Sequence, residues 1–226
     1  MDFSFLSKYY MFFIDGAKMT LILSIFTVIF GVLLGMVIAL MRMSRIWPLK
    51  AFAVSYIEFI RGTPMLVQLY IFYYGLPKLG IQFPEVPGIG SSFPDMMAAI
   101  IALSINSAAY VAETFRAGIQ SIDKGQMEAA RSLGMPHAMA MRFIILPQAL
   151  RNILPALGNE FIVVIKETSI VSVIGIGELM YKADTVRGNT FQPFEPLILA
   201  AIIYFIMTFT LTKLLGVAER RMKSSD

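Results

Sequence analysis

The chain has 226 residues, 57% of them hydrophobic, with a mean hydropathy of +0.71, which is more apolar than an ordinary soluble domain. The net charge of +4 is small, and the lysines and arginines gather at the ends of apolar segments. This argues against a nucleic-acid surface and makes them topology signals. Zero cysteines exclude disulfides, thiol catalysis and cysteine metal sites, and the single His137 removes most zinc constellations.

Residues 1–15 carry Phe3, Phe5, Leu6, Tyr9, Tyr10, Phe12 and Phe13, the composition of an aromatic segment lying on the outer leaflet. They lack the charged region, short apolar core and small-residue cleavage site of a removable leader, so the segment is expected to remain. A membrane span needs about 20 apolar residues, and five segments are predicted to qualify, at about 17–41, 54–76, 96–115, 153–175 and 196–217. The second is interrupted by Arg61-Gly62-Thr63-Pro64 and is expected to begin as an interfacial turn, becoming a helix only from Pro64, which suits a first helical turn. No linker or repeat divides residues 1–226, so the chain reads as one all-α membrane domain.

Between the third and fourth spans lies a polar loop, 120–147. Asp123 followed by Gln126 reads as a capping box that starts a short helix near Lys124 and carries it through Glu128, Ala129, Ala130 and Leu133. Gly134 suits a left-handed turn, and Pro136 suits the start of a second helix ending about Pro147. Ala129 and Ala130 side by side form a flat patch rimmed by Glu128 and Arg131, a surface shaped for a groove.

Basic residues orient the chain. Arg42, Arg45, Lys50 and Arg61 precede or open the second span; Arg116, Lys124, Arg131, Arg142 and Arg151 flank the 120–147 loop; Lys213, Arg220, Arg221 and Lys223 end the chain. These three regions are expected to face the cytoplasm. The N-terminus and the regions around Lys78 and Lys182 then face outward.

The spacing Glu128-Ala129-Ala130, three residues, Gly134, nine residues, Ile144-Ile145-Leu146-Pro147 resembles the signature of binding-protein-dependent ABC importer permeases. Three further stretches resemble the polar amino-acid branch of that family, which takes histidine, glutamine, arginine or cystine. They are Glu58-Phe59-Ile60-Arg61-Gly62-Thr63-Pro64 running to Gln68, Ala109-Tyr110 through Glu113 and Arg116 to Gln120, and Lys166-Glu167-Thr168-Ser169. The resemblance implies a type I importer bundle of five helices with a cytoplasmic coupling helix, in which Gln126, Glu128, Ala129, Ala130, Leu133 and Gly134 meet an ATPase. It further implies two ATPase subunits, a second permease that is a copy or close paralogue, an external solute-binding protein, surrounding lipid and a bacterial cytoplasmic-membrane location. ATP and Mg would sit on the partner, since this chain has no Gly-x-x-x-x-Gly-Lys-Ser/Thr loop and no cofactor of its own. It would be a transporter subunit and not an enzyme.

Polar side chains inside spans are costly and point to a cavity or to the bundle interior. Asn106 lies ten residues from Arg116 and Glu160 nine from Arg151, which places both roughly 15 Å deep, about half the core thickness. Asn106, Tyr110 and Glu113 share one helical face, as do Glu160 and Glu167. Two roles are open for these stripes. They line a pathway in which carboxylates meet an ammonium and Asn106, Thr168 and Ser169 supply hydrogen bonds, or Asn106 makes an interhelical contact and Glu160 pairs with a basic group. Glu58 and Arg61 read as an ion pair at the membrane surface, and Thr63-Pro64 as a helix start or a gate. A proton- or sodium-driven carrier is disfavoured by the lack of an inverted repeat, and an intramembrane enzyme by the lack of a serine–histidine or aspartate pair in the spans.

Overall fold

A computed structural model describes residues 2–85 and 92–223, and the regular elements among them are all helical. Helix α1 (Leu6–Met43) is followed by α2 (Trp47–Gly62), α3 (Met65–Lys78), α4 (Ser92–Gln120), α5 (Lys124–Ser132) and α6 (His137–Ala140). A π-helical turn (Met141–Ile145) then leads into α7 (Leu146–Glu167), a 3₁₀ stretch (Thr168–Ile174), α8 (Leu179–Thr190) and α9 (Glu195–Lys223).

Helix α4 is the axis of the bundle. It packs on α1, α2, α3 and α7, and 72% of its most apolar stretch is buried, against 33% in α1 and 6% in α9. The approach of α1 to α4 is close because glycine stands on the contact. A Cβ at Gly35 would lie 2.6 Å from Val111 Cγ1 and 2.9 Å from the Ala108 carbonyl oxygen, so any larger residue would force the two backbones apart.

Helices α1, α4 and α9 are each long and apolar enough to cross a membrane. The other two expected spans are both interrupted, so length and apolarity account for three of the five. In 54–76 the break falls at Thr63-Pro64 as the sequence suggests, but the part before it is a complete 16-residue helix, α2, and not an interfacial turn. Pro48 in its first turn favours that helix, and Ala53, Ile57 and Ile60 bury one face of it beside α4. In 153–175 the helix tightens at Thr168, where the hydroxyls of Thr168, Ser169 and Ser172 donate to the carbonyls of Ile165, Lys166 and Ser169 at 2.7–2.8 Å. Such back-bonding competes with the α pattern, and Gly175, at φ +84°, ends the run.

Residues 6–15 are continuous with α1, and Phe5 and Phe13 are buried with Leu179, Ala183, Val186 and Ala200 of α8 and α9. Phe5 and Phe13 of the aromatic segment thus pack into one end of the bundle, while Phe3 and Tyr10 stay exposed. Below it, the fully buried Glu178 carboxylate accepts hydrogen bonds from the Tyr181 N–H and the Tyr204 hydroxyl, each at 2.7 Å, with the Thr20 hydroxyl 3.5 Å away. That one side chain ties α1, α8 and α9.

Candidate functional site

Two polar regions stand out, one exposed and one interior. The exposed one is the corner formed by α5 and the turn after it. Asp123 caps α5 by accepting from the Gly125 N–H at 2.6 Å, while the Gln126 N–H bonds the Asp123 carbonyl. The helix therefore starts at Lys124 with Asp123 as its cap, as the sequence suggests, although the carboxylate bonds the Gly125 N–H and not that of Gln126. Gly134 has φ +82°, a conformation that costs residues with a Cβ about 1–2 kcal/mol, and the Met135 N–H returns to the Ala130 carbonyl at 3.1 Å. That is a Schellman-type ending.

The corner exposes one of its two alanines and buries the other. Ala129 is exposed but Ala130 is only 3% exposed, so Ala129 alone contributes to the outer patch. Leu133 projects with 88% of its surface exposed, and Gln126, Glu128 and Gly134 are exposed around it. A groove of about 550 Å³ between this corner and the end of α4 is lined by Ile119, Ile122, Met127, His137 and Met141 among others. The second loop helix does not end at Pro147. Its chain continues through the π turn into α7, because Pro147 sits in the first turn of α7, where no N–H is needed.

The interior region lies along α4, on which α3 and α7 each pack. The Ser107 hydroxyl donates to Glu160 Oε1 at 2.9 Å, so Glu160, half-buried, has a neutral partner in place of the basic group considered from sequence. Asn106, 5% exposed, donates from Nδ2 to Gln68 Oε1 on α3 at 2.9 Å. The sequence assigns Gln68 no role beyond its place in the stretch from Glu58 to Gln68. As an amide in an apolar run four residues after a proline, it carried the signal of a buried polar tie. Tyr110 lies between Asn106 and Ser107 around the α4 helix and is 38% exposed, with the Arg61 guanidinium 5.4 Å from its ring centre. The ion pair expected between Glu58 and Arg61 is absent among the described residues, Arg61 having turned to this ring.

Other expected site residues take different places. Glu113 leaves the stripe for an ion-pair cluster, held by Arg42 at the end of α1 and by Arg116 at 2.8 Å. Glu167 is half-buried at the end of α7, whereas the Thr168 and Ser169 hydroxyls are engaged by main chain. Thr63 donates to the Phe59 carbonyl at 2.9 Å, and Pro64 caps α3.

This arrangement, a helical bundle with a carboxylate inside and an exposed amphipathic corner between its spans, agrees with what the comparisons find. The description "binding-protein-dependent transport system inner membrane component" matches residues 31–224. The chain belongs to that family. It is 42% identical to the arginine transport system permease protein ArtQ of Bacillus subtilis (strain 168), covering 100% of this chain and 99% of the relative. It is 40% identical to the putative glutamine transport system permease protein GlnP of Rickettsia conorii, over 97% and 98% of the two chains. A chain from the crystal structure of an amino acid ABC transporter with histidines superposes with a TM-score of 0.89 at 55% identity, covering 98% of this chain and 99% of that one. The fold extends to a chain of the MetNI methionine ABC transporter, with a TM-score of 0.69 at 17% identity over 98% and 99% of the two chains. As a transport-system membrane component, the protein is a multi-pass membrane subunit and not an enzyme.

Proposed function

We propose that the chain is the permease subunit of an ATP-driven ABC importer of polar amino acids. The observation that carries this reading is identity sustained over the whole chain with relatives named for arginine and glutamine transport. In this reading two permeases, copies or close paralogues, surround one pathway. Each seats its α5 corner in a cytoplasmic ATPase that holds ATP and Mg, and an external binding protein delivers the solute. Closure of the ATPases draws the two α5 corners together and rocks the bundle between outward- and inward-facing states.

Inside the bundle, Glu160 and Tyr110 are the groups free to meet a solute. The carboxylate attracts the ammonium, and more strongly a second cationic group, while Ser107 aims it. Glu167 adds a second carboxylate along α7. Asn106, Thr168 and Ser169, whose polar groups are engaged within the protein, support the pathway instead of touching the solute.

The test is reconstitution in liposomes with the ATPase and the binding protein, followed by uptake of radiolabelled arginine and glutamine. Uptake that requires ATP and both partners supports the proposal, and uptake driven by a proton gradient without the ATPase overturns it. Orientation is tested with single cysteines, which the chain lacks. An impermeant probe labels positions 2 and 85 in intact cells and positions 124 and 223 only after permeabilisation. Labelling of position 124 from outside would reverse the orientation and remove the ATPase contact.

A further inference from the structure

The corner between α2 and α3 contains a carbonyl that the helix itself cannot satisfy. In a continuous helix the Ile60 carbonyl would accept from the N–H of residue 64, but residue 64 is proline and has none. Thr63 and Pro64 are both extended, at φ −119°, ψ 145° and φ −64°, ψ 137°, so the Thr63 carbonyl is also outside the helical pattern. A buried carbonyl in an apolar setting needs a donor.

Gln68 supplies it. Its Nε2 lies 2.7 Å from the Ile60 carbonyl oxygen, 2.8 Å from Thr63 Oγ1 and 3.1 Å from the Thr63 carbonyl oxygen. An amide has two N–H donors, so three acceptors compete for two hydrogens. Orientation of the amide is set from the other side, where its Oε1 accepts from Asn106 on α4 at 2.9 Å. Gln68 is 3% exposed and Asn106 5%. One turn from the corner, the Tyr56 hydroxyl of α2 donates to the Ile105 carbonyl of α4 at 2.6 Å, so both arms of the corner are tied to the same turn of α4. The next residue, Ser107, holds Glu160.

We propose that Asn106 and Gln68 are positioning residues that latch the α2–α3 corner to α4, so that the corner's angle and the placement of Glu160 are set by one turn of one helix. The latch holds the corner open because Gln68 substitutes for the hydrogen bond that Pro64 denies. This goes beyond the transport reading in naming what fixes the pathway wall, and its structural arm does not depend on which solute moves.

The test uses the complete transporter in lipid nanodiscs, with spin labels on cysteines introduced at Ser55 of α2 and Tyr74 of α3, both exposed. Gln68→Leu keeps the bulk but removes the donors. It is expected to lower the melting temperature by about 2–10 °C and to broaden the 55–74 distance distribution. Adding Pro64→Ala gives residue 64 an N–H that can reach Ile60 and is expected to recover at least half of that loss, with a new 55–74 distance. If Gln68→Leu cannot be purified, recovery of the double variant supports the latch and failure to recover it overturns it. A wild-type distance distribution and melting temperature in Gln68→Leu overturn it as well. In liposomes, Asn106→Ala is expected to lower the maximal rate of arginine or glutamine uptake about fivefold or more with KM within about twofold. A rise of about tenfold in KM with an unchanged maximal rate and 55–74 distance makes Asn106 a solute ligand and removes it from the latch. Absence of uptake in the wild-type chain would count against the transport reading and leave the distance and melting results to decide the latch.

Discussion

The α5 corner and the α3–α4–α7 interior are both polar regions in an apolar chain, yet they are built on opposite rules. The corner is local. Asp123 bonds two residues away, Gly134 turns the chain, Met135 returns to Ala130, and Leu133 is left projecting. The interior is assembled from afar, with Asn106 bonded to Gln68 across 38 positions and Ser107 to Glu160 across 53. An exposed surface can be specified by neighbours in sequence, because water completes it. A polar group within the bundle that its own helix does not satisfy, as Thr168 is satisfied by the Ile165 carbonyl, has to be completed by another helix.

The strongest way to break that comparison is at Gly134. A β-branched residue at φ +82° is strained wherever it is placed, so Gly134→Val is expected to distort the corner while leaving the spans intact. Uptake should fall about tenfold or more, an effect of about 1–2 kcal/mol on the turn, with the ATPase lost on gentle purification. Wild-type uptake and ATPase retention would show that the corner is not the coupling contact.

The two alanines sharpen the contrast within the corner. Ala130→Trp places a large side chain where 3% of the residue is exposed and is expected to cost about 1–3 kcal/mol by overpacking, read as a lower melting temperature and easier proteolysis at 120–147. Ala129→Trp points outward and should leave melting unchanged within about 1 °C while reducing ATPase retention. Equal effects on stability would mean that both alanines lie in one flat outer patch, as the sequence suggests.

Glu160→Gln probes the interior with little effect on stability. The Ser107 hydroxyl can donate to an amide oxygen as it does to the carboxylate, so the melting temperature is expected to change by less than about 2 °C. Uptake should drop, most for a substrate with a cationic side chain, since only the charge is removed. A destabilised, unassembled variant would reveal a buried cation dependent on this carboxylate and return Glu160 to a structural role. Ser107→Ala should give a weaker loss of the same kind, because it frees the carboxylate without neutralising it.

The apolar runs, the break at Thr63-Pro64, the Asp123 start and the Gly134 turn were legible in the sequence because each depends on residues a few positions apart. Capping, ring closure at proline and positive φ act over that range. What lies opposite a residue was decided only by the fold. Periodicity puts Glu113 on the face of Asn106 and Tyr110, but α1 brings Arg42 to it and makes it part of an ion-pair cluster. Arg61 was read with Glu58, but α4 presents the Tyr110 ring. Burial of Phe5 and Phe13 is not legible in the sequence because their partners, Leu179 to Ala200, lie more than 160 residues away. Helical periodicity determines which side chains share a face, and hydropathy determines that the chain enters a membrane. Which two faces meet depends on how closely backbones can approach, as Gly35 allows at Val111, and on which buried donors and acceptors find one another, and both are settled only when the helices have packed.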